Sequence, residues 1–91
     1  MEIKEILTVK NKLGIHARVA SQIVNISNKF QEVEVEMFRD DLTVNAKSMM
    51  GVLMLGAAFN DKVGVKLIGP DDECGDLFGK LQQIFDGKSP E

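Results

Sequence analysis

The chain has 91 residues, with 11 lysines and arginines against 14 aspartates and glutamates, and a formal net charge of −3. This charge argues against a general nucleic-acid-binding surface. An apolar fraction of 44% is ordinary for a globular protein, and 91 residues suffice for a modest core. Apolar runs fall short of the ~20 residues of a membrane span, and the N-terminus lacks an apolar signal core. We expect one cytoplasmic domain, residues 1–91, with protein partners and no membrane insertion.

The first half of the chain predicts a strand, a helix and a second strand. Residues 3–9 place most of their apolar side chains on one face, which indicates a strand, and residues 11–14 form a loop. Apolar residues then follow helical spacing from residue 17 to about residue 28. Residues 32–38 indicate a strand, because acidic and apolar residues alternate from 32 to 37. The inward set is Val33, Val35 and Met37, and the outward set is Glu32, Glu34 and Glu36.

The second half predicts a short strand, a short helix, a last strand and a last helix. In order, these are residues 42–44 after a tight connection at 39–41, residues 49 to about 55, residues 63–67, and a helix after the turn at 69–71 whose apolar residues follow helical spacing from 74 to 85. Ser48 is suited to cap the short helix and Gly56 to end it. Asp71 is expected to cap the last helix, Gly87 ends it, and residues 88–91 form a frayed tail.

The element order β-α-β-β-α-β-α predicts an α+β fold in two layers. Strands with one apolar face and amphipathic helices indicate an antiparallel sheet covered on one side by helices. The residues alone also allow a ferredoxin-like arrangement of the same elements.

His16 is the single histidine, and it stands where a loop ends and a helix begins. A helix start offers unpaired N–H groups and the positive end of the helix dipole, which favour an anion. Arg18 adds a fixed positive charge two residues further on. The simpler interpretation is a histidine that only caps a helix and an arginine that is a solvated surface charge. The chemical interpretation is a nucleophilic imidazole at a place that can hold a phosphoryl group.

Two stretches of the sequence resemble one known family. Gly14-Ile15-His16-Ala17-Arg18 resembles the active-site motif of HPr, the histidine-containing phosphocarrier family of the bacterial phosphotransferase system. Residues 45–56, Asn-Ala-Lys-Ser-Met-Met-Gly-Val-Leu-Met-Leu-Gly, are similar to the regulatory-serine region of that family. The resemblance covers nearly the whole chain. It implies an open-faced β-sandwich with four antiparallel strands in the order 1-4-2-3 and three helices on one face.

The resemblance also implies a chemical role for His16. Its Nδ1 atom takes a phosphoryl group from enzyme I, which phosphoenolpyruvate charges, and passes the group to enzyme IIA. Arg18 pairs with the phosphate, and Ala17 supplies a backbone N–H. We expect a carrier and not a free-standing enzyme, with no cofactor and no metal, because no carboxylate cluster lies near His16 in the sequence.

Val19 departs from the family, which usually has proline after the arginine. Proline fixes φ and gives up an N–H that is unpaired in the first turn. Valine restores that donor, so we expect a working phosphoacceptor with a less rigid helix start.

Ser48 has a structural and a regulatory interpretation that are compatible. Serine is a preferred N-cap, and its replacement costs about 1 kcal/mol. The resemblance implies modification of this serine by an HPr kinase/phosphorylase. A phosphate there would place about two negative charges beside a docking surface and weaken transfer from enzyme I.

The short second helix carries a methionine-rich cluster. Methionines are often gap-fillers in cores, but methionine-rich surfaces also adapt to several partners. We expect Met50 and Leu53, with Met49 and Met54, to dock enzyme I and enzyme IIA beside Ser21 and Ala17.

Three alternatives to the carrier remain open on the sequence. The first is a regulatory HPr relative that is modified at Ser48 and binds a transcription regulator. The second is a nitrogen-related branch that uses the same chemistry with other partners. The third is a small-molecule-binding module, which the lack of tryptophan and tyrosine does not support. The presence of His16 favours the carrier, and we expect it to be a monomer.

Overall fold

A computed structural model gives the fold, and it describes residues 1–88. The elements are β1 Glu2–Thr8, α1 Ala17–Asn28, β2 Glu34–Arg39, β3 Leu42–Asn45, α2 Met49–Met54, β4 Lys62–Ile68 and α3 Asp71–Phe85. Their order is the predicted β-α-β-β-α-β-α. Most of the predicted frayed tail, residues 89–91, lies outside the described residues.

The four strands form one antiparallel sheet in the order β1-β4-β2-β3. β4 lies between β1 and β2, with Glu5 opposite Val65 on one side and Met37 opposite Val65 on the other. β2 and β3 form a hairpin in which Arg39 lies opposite Leu42. This order confirms the predicted open-faced fold and excludes the ferredoxin-like alternative for this chain.

The sheet buries one face against the helices. Val35 and Met37 of β2 are buried, whereas Glu34 and Glu36 are exposed, as their alternation predicts. The helices contribute their apolar stripes to the same core, with Ile23 of α1 fully buried. The core side chains of α3 are Cys74, Leu77, Leu81, Ile84 and Phe85. In residues 1–88, no helix is both long enough and apolar enough to span a bilayer.

Several predicted strand and helix limits shift by one or two residues. β1 ends at Thr8, but Val9 remains buried and its N–H donates to the Asp61 carbonyl at 2.9 Å. β2 begins at 34 and not at 32, because residues 31–32 are still part of a turn. Arg39, which we assigned to the connection, belongs to β2, so the turn comprises Asp40 and Asp41 only. α2 ends at 54, one residue early.

The expected cap at Asp71 is wrong. The Cys74 N–H donates to the Pro70 carbonyl at 2.9 Å, so Asp71 already lies within α3 and Pro70 is the N-cap. Among residues 1–88, no side chain caps the start of this helix. The Asp71 carboxylate instead lies 3.5 Å from the N-terminal ammonium of Met1.

Candidate functional site

His16 is the N-cap residue of α1, as its position in the sequence predicts. Its backbone is extended, with φ −90° and ψ −177°, which lets its side chain turn back over the first helical turn. Gly14 just before it has φ +75°, a conformation that side chains with a Cβ rarely adopt. Ile15 between them is buried, and its N–H donates to the Ala57 carbonyl at 2.9 Å. The imidazole therefore lies at the N-terminal end of α1, directly after a loop that the Ile15–Ala57 hydrogen bond holds in place.

The imidazole uses its Nδ1 atom as the cap. Nδ1 accepts a hydrogen bond from the Arg18 backbone N–H at 3.3 Å. An atom that accepts such a bond carries a lone pair and no proton, so the proton of the neutral ring lies on Nε2. Nδ1 of His16 thus faces the positive end of α1. The side chain is half-buried, which leaves it open to a reaction partner.

The first turn of α1 keeps donors free. Within residues 1–88, no acceptor lies on the N–H of Ala17 or of Val19, and the turn holds no acidic residue. Ala17 itself is exposed. An anion on His16 would therefore meet two unused amides as well as the amide that now bonds Nδ1.

Arg18 is exposed, and its guanidinium makes no ion pair or hydrogen bond with any of the described residues. It lines a small cleft of about 70 Å³ together with Gln22 and Lys88. Its charge is therefore uncommitted and available to an incoming anion. The structure thus places the Arg18 backbone against the His16 ring and leaves the Arg18 side chain beside the helix start.

Val19, where the family usually has proline, serves the core. Its side chain is only 3% exposed, at the buried face of α1. Valine thereby provides both a core contact and an extra free N–H. The less rigid helix start that we expect from it stays a prediction.

Ser48 caps the short helix α2, as predicted. Its Oγ accepts from the Gly51 N–H at 3.2 Å, and its own carbonyl accepts from the Val52 N–H at 3.0 Å. The side chain is half-buried. The side chain of the preceding Lys47 is engaged elsewhere, because its Nζ donates to the Phe30 carbonyl at 2.9 Å. A phosphate on Ser48 would lie at the free N–H end of α2.

The methionine-rich cluster on α2 divides into outward and inward members. Met50, Leu53 and Met54 are 71%, 38% and 61% exposed. Met49 is partly buried and packs against the core, so the structure separates it from the other three. α2 packs against α1. On α1, Ala17 is exposed, and Ser21 is half-buried with its Oγ accepting from Asn25 at 3.4 Å. We define Met50, Leu53 and Met54 as the α2 patch.

Two exposed apolar residues near the loop of His16 were not among the predicted site residues. Leu13 is 82% exposed, and Phe59 is 48% exposed. Leu13 directly precedes Gly14, and Phe59 directly follows Ala58, whose backbone lies against Gly14 together with that of Ala57. Their position in loops, where an apolar side chain has no strand or helix face to bury, is the signal that could have identified them.

Other reactive groups do not gather into a second site. Burial raises the pKa of the Cys74 thiol, so this cysteine is a poor nucleophile at neutral pH. Within residues 1–88, histidine, cysteine and acidic side chains nowhere gather in threes at a point where a metal ion could bind.

Comparison with known proteins agrees with this geometry. Residues 3–85 match the family model described as the PTS HPr component phosphorylation site. Phosphocarrier protein HPr of Chlamydia trachomatis serovar D is 37% identical over 84 residues, covering 92% of this chain and 74% of that protein. Phosphocarrier protein HPr of Xylella fastidiosa strain Temecula1 is 35% identical over 85 residues, covering 93% of this chain and 92% of that protein.

A solved structure gives the same result for the fold. The crystal structure of a phosphocarrier protein HPr from Bacillus anthracis strain Ames superimposes with a TM-score of 0.82 at 26% identity, and it covers 91% of this chain and 95% of that one. A single match of this kind would show the fold alone. The matched family model and the two relatives above 30% identity over most of the chain identify the family: this chain belongs to the HPr family of phosphocarrier proteins of the phosphotransferase system.

Proposed function

We propose that this chain carries phosphoryl groups on Nδ1 of His16, which it receives from enzyme I and passes to enzyme IIA. The carrier role in the phosphotransferase system follows from the family. The observation that supports the choice of atom is that Nδ1 accepts the Arg18 backbone N–H and faces the N-terminus of α1. The carrier works in the cytoplasm as a monomer, without a cofactor or a metal of its own.

Transfer to His16 exchanges one bond to phosphorus for another. The lone pair of Nδ1 attacks phosphorus, the bond between phosphorus and the donor atom breaks, and its electron pair returns to the donor. The ring keeps its Nε2 proton and becomes positively charged, while the phosphoryl group brings negative charge. No proton has to leave the ring during attack, so no general base is needed beside it.

The first turn of α1 supplies the electrostatic stabilisation. When Nδ1 bonds phosphorus, it releases the Arg18 N–H, which then donates to a phosphoryl oxygen together with the N–H of Ala17. The Arg18 guanidinium is free to turn toward the same oxygens. These donors are present before the reaction, so they lower the barrier without a rearrangement of the helix. The P–N bond is labile, which suits onward transfer.

The α2 patch is the docking surface in this proposal, with Met49, Ser21 and Ala17 at its border. Flexible methionines accommodate partners of different shape, as a relay between enzyme I and enzyme IIA requires. The patch is small, which suits complexes that must separate quickly.

Phosphorylation of Ser48 would regulate the carrier. A phosphate there stabilises α2 through the helix dipole, but it puts about two negative charges next to the α2 patch. In this proposal an HPr kinase/phosphorylase adds it, and the modified form binds a transcription regulator instead of enzyme I.

The test is incubation with enzyme I and phosphoenolpyruvate, followed by mass spectrometry at neutral and at acid pH. The carrier gains one phosphoryl group that acid removes, and His16→Ala gains none. No adduct with enzyme I, but an acid-stable adduct on Ser48 after a separate incubation with ATP and an HPr kinase/phosphorylase, would favour the regulatory relative. No adduct with enzyme I of the phosphotransferase system, but one with the enzyme I of a nitrogen-related branch, would favour that branch.

A further inference from the structure

The loop between α2 and β4 holds the residues that lead to His16. The Ala57 carbonyl accepts from the Ile15 N–H at 2.9 Å. Gly14 approaches so closely that a Cβ there would lie 2.7 Å from the same carbonyl oxygen. We call residues 11–16 the His16 loop. Its position therefore depends on the position of the loop between α2 and β4, residues 55–61.

One ion pair joins both ends of that loop. Arg39 Nη2 lies 2.8 Å from Asp61 Oδ2, and Arg39 Nη1 donates to the Leu55 carbonyl at 3.0 Å. Asp61 Oδ2 also accepts from the Ala58 N–H at 2.8 Å. The forked guanidinium thus binds the C-terminal end of α2 and the turn before β4 at the same time. Both side chains are about one-third exposed, at 32% and 31%.

The same loop connects two parts of the proposed site. At one end it continues α2, which carries the α2 patch, and in its middle it carries the carbonyl that fixes Ile15. At its far end Asp61 accepts, through its backbone carbonyl, from the Val9 N–H at 2.9 Å, which ties the loop to β1. Arg39 belongs to β2, so its bonds to Leu55 and Asp61 attach both ends of the loop to the sheet.

We propose that Arg39 and Asp61 are positioning residues that fix the placement of the His16 loop relative to the α2 patch. This inference rests on the proposed function. A partner docked on α2 presents its phosphoryl group at a fixed place, and transfer requires Nδ1 of His16 to be there. Misplacement by about 1 Å can slow a reaction about a hundredfold, so the spacing has a kinetic consequence. The chemistry of the ring itself does not depend on the pair, because its cap bond to Arg18 is local.

The experiment compares two phosphoryl donors on Arg39→Lys and Asp61→Asn. Lysine keeps the charge, but its single ammonium cannot reproduce the planar fork that binds Asp61 and Leu55 together. Enzyme I with phosphoenolpyruvate requires docking and alignment, whereas phosphoramidate, a small donor, requires neither. Asp76→Asn is the matched control, since it removes a carboxylate that pairs with Lys80 on α3 at 3.6 Å.

With enzyme I, kcat falls about tenfold in both variants while KM stays within about twofold, because the α2 patch is intact. With phosphoramidate, both variants react within about twofold of the unmodified chain. The control matches the unmodified chain with both donors. Thermal unfolding midpoints give the temperature at which all variants are folded.

The outcomes separate this inference from the proposed function. An unchanged kcat with enzyme I, or an equal loss with both donors, overturns the positioning role. If Arg39→Lys fails to fold, Asp61→Asn decides by the same comparison of its loss with enzyme I against its loss with phosphoramidate. If the unmodified chain takes no phosphoryl group from enzyme I but reacts with phosphoramidate, the proposed function itself is wrong.

Discussion

The first turns of α1 and α3 carry opposite patterns of charge at the positive end of the helix dipole. α3 begins with three acidic residues, Asp71, Asp72 and Glu73, and has no side-chain cap. α1 begins with the imidazole of His16 and has no acidic residue in its first turn. Negative charge near a helix N-terminus is stabilising by about 0.3–1 kcal/mol. The start of α3 takes this stabilisation from its own carboxylates, and the start of α1 leaves it unused.

This difference indicates that the start of α3 serves the stability of the fold, whereas the start of α1 serves the binding of an anion. At α3 the positive end of the helix is neutralised permanently, which favours a stable helix. At α1 the N–H groups of Ala17 and Val19 and the guanidinium of Arg18 have no partner among residues 1–88, so they become stabilising only when an anion binds. α2 is intermediate, because Ser48 caps it without a charge and its first turn is also free of acid. In the proposed function, α1 and α2 are the two places where phosphate is received.

The largest expected effect comes from giving α1 the charge pattern of α3. In Ala17→Glu the carboxylate occupies the free end of the helix and repels the incoming phosphoryl group. Two like charges about 4 Å apart near a surface repel by up to about 4 kcal/mol, and salt screening reduces this. We expect transfer from enzyme I to slow about thirtyfold, which corresponds to about 2 kcal/mol.

Ala17→Gln is the control of matched size without the charge. It keeps transfer within about threefold of the unmodified chain if repulsion is the cause. Equal losses in both variants would mean that bulk at the docking surface, and not charge at the helix start, limits the reaction. Calorimetric unfolding of Ala17→Glu adds a second readout, since the carboxylate raises the stability of α1 by about 0.5 kcal/mol.

The next effect tests whether the Arg18 side chain acts on the phosphoryl group. We expect Arg18→Gln to lower kcat with enzyme I about twentyfold, because a positioned guanidinium stabilises charge that develops during transfer. Arg18→Lys keeps the charge without the fork and recovers part of the loss. Rapid-quench kinetics with phosphorylated enzyme I measures both. A solvated surface charge would contribute only about 0–1 kcal/mol, so a change under about fivefold would support that simpler interpretation.

A smaller effect separates the cap of α2 from its regulation. Ser48→Asp retains a cap but puts a charge beside the α2 patch, and we expect KM for enzyme I to rise about tenfold, since docking would desolvate the carboxylate. Ser48→Ala loses about 1 kcal/mol of stability with little change in KM. Steady-state transfer and thermal unfolding give the two values. A normal rate in Ser48→Asp would contradict the regulatory proposal.

The sequence predicted those features that depend on neighbours along the chain. The position of His16 between a flexible glycine loop and a helical pattern placed it at the N-cap, and the alternation from Val33 to Met37 oriented β2. The resemblance to HPr added the strand order, which local periodicity leaves open. The start of α3 was misplaced because aspartate suits both the cap and the first turn, and a single backbone hydrogen bond to Pro70 decides between them.

Features that depend on residues far apart could not be predicted in this way. Arg39 and Asp61 are separated by 22 positions, and their pairing follows from the packing of the loop against the end of β2. The exposed fraction of each methionine on α2 also depends on which side of the helix meets the core. Met49 and Met50 are adjacent and of one type, but only Met50 faces outward. Composition cannot distinguish them.

The smallest expected effect is at α3, where a carboxylate is removed from the first turn, the reverse of the change made in α1. Asp72→Asn removes one carboxylate from the first turn of α3, so we expect the free energy of unfolding to fall by about 0.5 kcal/mol at low salt. Transfer from enzyme I stays unchanged, because the residue belongs to no part of the proposed site. Urea unfolding at two salt concentrations measures the loss, which shrinks as salt screens the helix dipole. A slower transfer in this variant would show that α3 also contacts the partner, and the division between a structural and a chemical helix start would then fail at its structural end.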